Sequence, residues 1–151
     1  RGLGDVYKRQ AYAREKFKTD RVAVVDFDVH HGNVTQEIFW SQPNLLYVST
    51  HQMPLFPGTG SISEVGEYNN IINAPLSAGS GSSEFRTAFN EVIIPGLRKF
   101  SPDLLIVSAG FDAHADDPLA SLNYMRMIIH GSLWNYYQSL KNTQRGVWFL
   151  Y

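Results

Sequence analysis

The sequence predicts an α/β domain in which an open parallel sheet is flanked by helices. Three short apolar runs and one helical segment carry that expectation. Residues 22–25 (VAVV), 45–49 (LLYVS) and 104–107 (LLIV) read as strands buried on both faces. Between the second and third, residues 84–100 repeat apolar side chains at helical spacing, at Phe85, Ala88, Phe89, Val92, Ile93 and Leu97. A strand–helix–strand succession implies a right-handed crossover and parallel neighbours.

Each element can be justified in turn. Residues 1–10 (RGLGDVYKRQ) show neither period and receive no role; they read as an unrelated leader. Residues 11–18 suit a short helix that enters the first strand through Thr19 and Asp20. Residues 35–40 (TQEIFW) suggest a helical turn with Ile38, Phe39 and Trp40 packed inward. The second strand ends in Thr50, His51 and the loop MPLFPGTG, whose Pro54, Pro57, Gly58 and Gly60 forbid regular structure. That loop, with Leu55 and Phe56 exposed, suits a pocket wall. Residues 66–83 form a loop with one short strand, IINAPL, and Ser82 or Ser83 caps the following helix. Pro95 and Gly96 predict a kink or an early end in that helix. Ser101-Pro102-Asp103 turns into the third strand.

Composition bounds the function. The chain has 151 residues, enough for one domain with a core, and 44% hydrophobic with 18% charged residues describes an ordinary globular protein. A formal charge of −1 gives no reason to expect nucleic-acid binding. No apolar run reaches membrane-spanning length, and no signal peptide opens the chain, so the default expectation is a cytoplasmic protein without a membrane partner. There is no cysteine, so any metal must use oxygen and nitrogen ligands.

The chemistry sits at strand ends. After residues 22–25 the chain changes abruptly to Asp26, Asp28, His30, His31, Gly32 and Asn33. If this segment stays extended, alternation puts Asp26, Asp28 and His30 on one face, where a carboxylate and an imidazole can share a cation. A satisfied polar cluster is the plainer reading, but such density on a hydrophobic strand favours a site. The third strand ends alike, in Ser108-Ala109-Gly110-Phe111-Asp112, then His114, Asp116 and Asp117. Asp112 could join Asp28 and His30 and leave one position open for water, as catalytic zinc sites do. Asp116 and Asp117 read as a solvated turn.

With DFDVHHGN, VSTHQMPLFPGTG and SAGFDAHADDPLASLN in this order, the chain resembles the zinc-dependent histone deacetylase superfamily. The likeness is nearest to its class II and bacterial branches, which include acetylpolyamine amidohydrolases, and it covers residues 11–124. It implies the arginase/deacetylase α/β fold, here incomplete, and hydrolysis of an N-acetyl amide on an acetylated lysine side chain, an acetylpolyamine or another small acetylated substrate. Position by position, it implies Asp28, His30 and Asp112 as ligands of Zn2+, or of Fe2+ in its place. Asp26 matches the carboxylate that orients a catalytic histidine and helps hold a structural K+, with Ser49 and Thr50 supplying further oxygens. Asn33 matches the partner of a second catalytic histidine. Phe56 and Leu119 match residues lining the acyl-lysine channel.

The sequence also departs from the family. Its tandem catalytic histidines belong to a Pro-Gly-His-His motif and its oxyanion tyrosine to a glycine-rich one; neither occurs in these 151 residues. The chain by itself is therefore expected to turn over little substrate. Val34 replaces a usual glycine, which strains the turn if positive φ is needed. Residues 125–151 fit badly, and read one base out of frame their first codons can encode ENDYSWI, so a frameshift near Met125 is expected. The alternative function is a catalytically dead, metal-dependent acyl-lysine binding module. An arginase-like binuclear site would want another carboxylate where Gly32 and Asn33 stand, and a fragment binding nothing is separated by metal content. His51 is expected at the pocket and His114 at its rim.

Overall fold

A computed structural model describes residues 12, 15, 19–108 and, by their backbone, 146–150. Tyr12 and Glu15 are helical. The elements that follow are β1 (Val22–Asp26), α1 (Asn33–Phe39), β2 (Leu45–Gln52), β3 (Ile71–Leu76), α2 (Ser82–Ala88), a π-helical turn (Phe89–Ile93), α3 (Ile94–Phe100), β4 (Leu104–Ser108) and β5 (Gly146–Leu150). All five strands are parallel, in the order β3-β2-β1-β4-β5. β5 lies in the segment expected to be out of frame, where sequence reasoning assigned no strand to the residues as they stand. No helix among the described residues is long and apolar enough to cross a membrane.

The apolar runs fill both faces of this sheet. On one face Ala23, Val25, Leu46, Val48, Leu105 and Val107 pack against Phe85, Phe89, Ile93 and Leu97 of the α2–α3 segment. On the other, Val22, Val24, Leu45, Tyr47, Leu104 and Ile106 pack with Phe39 of α1. Burial of each Val, Leu, Ile or Phe among them contributes about 1.5–3 kcal/mol before entropy is counted. Phe39 is buried as expected, while Ile38 and Trp40 are half-buried at the cluster's margin.

Local departures from expectation have physical reasons. The long helix neither breaks nor ends at Pro95; it widens into the π-helical turn just before, which accommodates a residue without an N–H. Gly96 allows α3 to lie directly on Ile72 of β3. Neither Ser82 nor Ser83 caps α2. Gly81 holds that place, and the Glu84 carboxylate accepts its N–H at 2.9 Å. Val34 sits inside α1, so no positive φ is demanded and no strain arises. β2 continues past the expected Ser49 to Gln52, which makes Thr50 and His51 strand residues.

Two features frame a site. From β1 the chain passes to β2 and β3 on one side and returns to β4 on the other, so β1 and β4 flank the topological switch point, where α/β folds open a crevice at the carboxyl strand ends. The far edge is closed by chemistry. Tyr47 N–H donates to Asn70 O and Met53 N–H to Leu76 O, which sets the even-numbered residues of β3 toward β2. Of the outward residues, Ile71 gives its N–H to Val65 O and Pro75 has none.

Candidate functional site

β1 ends at Asp26, directly in register with Ser49 and Ser108 on its two neighbours. Beyond it the chain runs on through Phe27 and Asp28 and bends at Val29 and His30. Phe27 N–H donates to Ser108 O at 3.2 Å, and Phe27 and Val29 are buried in the core on the α2–α3 side. Asp26 and Asp28 therefore share the opposite face, as alternation predicts, and the bend brings His30 beside Asp28. Successive carboxylates brace the segment: Asp26 Oδ1 accepts the Asp28 N–H at 3.2 Å and Asp28 Oδ1 the His30 N–H at 2.8 Å.

The structure brings Asp28 and His30 together. His30 Nδ1 lies 3.5 Å from Asp28 Oδ1, with the side chains 42% and 38% exposed. That separation is long for a hydrogen bond. It matches the edge between two donors of a tetrahedral zinc, about 3.3–3.6 Å for bonds of about 2.0–2.2 Å. The pair thus fits two positions of a zinc shell. Asp112 and Leu119 lie outside the described residues, as do His114, Asp116 and Asp117, and among the described residues no three His, Asp or Glu side chains gather as one metal-binding group.

Asp26 is different in kind. It is buried, and its Oδ2 accepts from the Tyr47 hydroxyl at 3.1 Å. Burial pushes its carboxyl up to about 6, helped by the nearby charge of Asp28 and opposed by the hydrogen bonds from Asp28 N–H, Tyr47 and Ser108. Gly32 leaves room for this pair, since a Cβ there would meet Tyr47 Oη at 2.6 Å and Asp26 Oδ2 at 2.8 Å. Ser49 is buried on the Asp26 face of β2, which suits an oxygen donor to a monovalent cation. Thr50 points its side chain to the other face, where its Oγ1 is buried without a hydrogen-bond partner among the described residues. Any Thr50 contribution to such an ion is confined to its backbone. Asn33 is exposed at the first position of α1.

The loop of residues 53–60 holds Phe56 80% exposed, whereas Leu55 is half-buried against the core. His51 corrects a second expectation. It lines no pocket: it is wholly buried, and burial, with the neighbouring His31, lowers it to about 4. Its Nε2 donates to Gly60 O at 3.1 Å, which leaves Nδ1 to accept the Ser49 hydroxyl at 2.9 Å.

Sequence reasoning missed the network around His51. His31 is buried 4.6 Å from it, ring to ring, and burial lowers its pKa too. His31 Nε2 donates to Gln36 Oε1 at 3.1 Å and Nδ1 accepts the Thr59 hydroxyl at 2.7 Å. Gln36 Oε1 also accepts from Asn73, and its amide donates to Glu64. A signal existed at Asn73, an amide within the otherwise apolar run IINAPL, whereas Gln36, between Thr35 and Glu37, gave none.

Comparison with known proteins now gives the site its context. The family model described as "Histone deacetylase domain" matches residues 6–148. The chain is 46% identical over 125 residues to "Histone deacetylase 10, chloroplastic" of Oryza sativa subsp. japonica, an alignment covering 81% of this chain and 28% of that protein. Among solved structures it resembles the HDA15 HD domain with a TM-score of 0.81 and 34% identity, covering 95% of this chain and 42% of that one. It also resembles an acetylpolyamine aminohydrolase from Burkholderia pseudomallei, with a TM-score of 0.68, 36% identity, and coverage of 72% and 33%. The chain therefore spans less than half the length of these relatives. The match across nearly all its residues, on a parallel sheet whose switch point carries Asp26, Asp28 and His30, shows that the chain belongs to the histone deacetylase family of hydrolytic deacetylases.

Proposed function

We propose that this chain contributes the metal-binding heart of a deacetylase acting on N-acetyl amides of the acetyl-lysine or acetylpolyamine type. One observation carries the reading: Asp28 and His30 meet at the switch point, 3.5 Å apart and half-exposed, with donor atoms suited to zinc. Asp28 Oδ1 is braced by the His30 N–H, so the carboxylate is held in place before any ion arrives. Asp112 is proposed as the third ligand. Zinc in such a shell supplies Lewis-acid polarisation of an acyl oxygen and acidification of water.

The chain's own residues then have distinct tasks. Asp26, buried and bonded to Tyr47, offers a carboxylate whose proton affinity reaches toward neutrality, suited to orienting an imidazole. Asp26 and Ser49 are proposed as oxygen donors to a monovalent cation. Phe56, standing out from its loop, offers an apolar wall for a four-carbon stem. Since the 151 residues contain no Pro-Gly-His-His motif, the chain taken alone is proposed to bind acetyl-lysine with little turnover. Calorimetric titration with Zn2+ tests the core of this reading. One equivalent bound by the unaltered chain and none by His30→Ala is the expected result. Equal zinc uptake by both would remove the proposal.

A further inference from the structure

The loop that presents Phe56 is held at both ends. Leu55 packs into the core before the tip, and residues 59–61 enter the buried polar network after it. Glu64 is the only charged member of that network among the described contacts. One or both of its carboxylate oxygens accept the N–H of Gly60 at 3.1 and 3.2 Å, the N–H of Ser61 at 3.1 Å, and the side-chain amide of Gln36. Charge-assisted bonds of this kind are roughly twice as strong as neutral ones. Gln36 belongs to α1 and is fixed in turn by His31 and Asn73, so the carboxylate ties the loop to an element rooted in the sheet. Gly60 is the one residue that can make this turn. Its φ is +94°, and a Cβ would collide with the His51 ring.

We propose that Glu64 is a positioning residue for the acyl-chain wall: by gathering the Gly60 and Ser61 amides and the Gln36 side chain, its carboxylate fixes the base of the loop that holds out Phe56. Without it the two amides lose their acceptor, the base of the loop is released, and Phe56 no longer stands at one place. The consequence for substrate rests on the deacetylase reading above. The clamp itself does not.

The test is amide hydrogen exchange on the 15N-labelled chain, combined with binding of Zn2+ and of N-acetyl-lysine amide. In Glu64→Gln, exchange at Gly60 and Ser61 should rise about tenfold or more, while Val24 and Val48 in β1 and β2 keep their protection. Affinity for N-acetyl-lysine amide should fall about threefold or more with zinc affinity unchanged, and Glu64→Asp should restore part of it. Unchanged exchange at Gly60 and Ser61 overturns the clamp. Faster exchange with undiminished acetyl-lysine affinity overturns the positioning role and leaves Glu64 purely structural. If Glu64→Gln does not fold, the unaltered chain still decides, through scalar coupling across the hydrogen bonds between the Gly60 and Ser61 amide nitrogens and the Glu64 carboxyl carbon; its absence overturns the proposal. If the unaltered, zinc-loaded chain takes up no N-acetyl-lysine amide, the substrate reading fails, while exchange still judges the clamp.

Discussion

Two groups of polar side chains lie a few residues apart on the same side of the sheet, and they meet opposite fates. His31, Gln36 and Asn73 are buried and hydrogen-bonded in series, His51 is buried against the His31 ring and bonded to Ser49 and Gly60, and burial lowers the pKa of both histidines. Asp28 and His30, from the same short stretch of chain, remain half-exposed at a separation suited to an ion between them. An imidazole signals a metal site only where the fold leaves its nitrogen facing a carboxylate with room for a cation. Where partners saturate it, as at His51, the same residue is architecture.

That contrast can be broken most forcefully at the exposed pair. Asp28→Ala should cost zinc affinity about a thousandfold, or about 4 kcal/mol, in calorimetric titration, with the melting temperature of the metal-free chain nearly unchanged. The converse is expected of the buried group. Gln36→Leu strands partners on His31, Asn73 and Glu64, and should lower stability by about 3 kcal/mol in thermal unfolding while zinc affinity moves less than about threefold. Phe56→Ala removes an exposed ring, so stability should stay within about 0.5 kcal/mol, but binding of N-acetyl-lysine amide should weaken several-fold.

The smallest effect is a pH dependence. Burial tends to raise the Glu64 carboxyl, but the bonds from Gln36, Ser61 and Gly60, together with His31 nearby, outweigh it and hold it below its ordinary 4.5. A carboxylate lowered on folding stabilises above its unfolded pKa and loses that contribution as pH falls through the folded value. Protection of the Gly60 and Ser61 amides, corrected for intrinsic exchange, should therefore persist from neutrality to about pH 4.5 and decline only below it.

Much of this was legible beforehand because it rests on local pattern. The runs at 22–25, 45–49 and 104–107 announce buried parallel strands, and the acidic and histidine residues following the first lie past its last apolar pair. The alternation that groups Asp26 and Asp28 is a property of extended chain and survives into the structure, while His30 joins Asp28 through a bend. What was illegible depends on partners distant in sequence. Asn73 finds Gln36 across 37 positions, and Glu64 finds it across 28, distances over which no spacing rule operates. His51 looked like a loop residue because Thr50, His51 and Gln52 are polar; the sheet absorbs all three as strand because Ser49 and Gly60 satisfy the ring. Gly81 displaced the serines at the start of α2 because Glu84 reaches back to it, a contact that depends on where the helix begins.

Pro75 matters most when two of these molecules meet. A bare strand edge offers any other extended chain a row of amide protons to pair with, which is how soluble proteins recruit one another into fibrous aggregates. Along β3, among the described residues, Ile71 has spent its proton on Val65 and Pro75 never had one, which leaves Asn73 to answer. A stranger approaching this margin finds a single handhold where it needs several. The same imino acid that interrupts an apolar strand in the sequence thus removes an amide proton that a neighbouring copy could pair with.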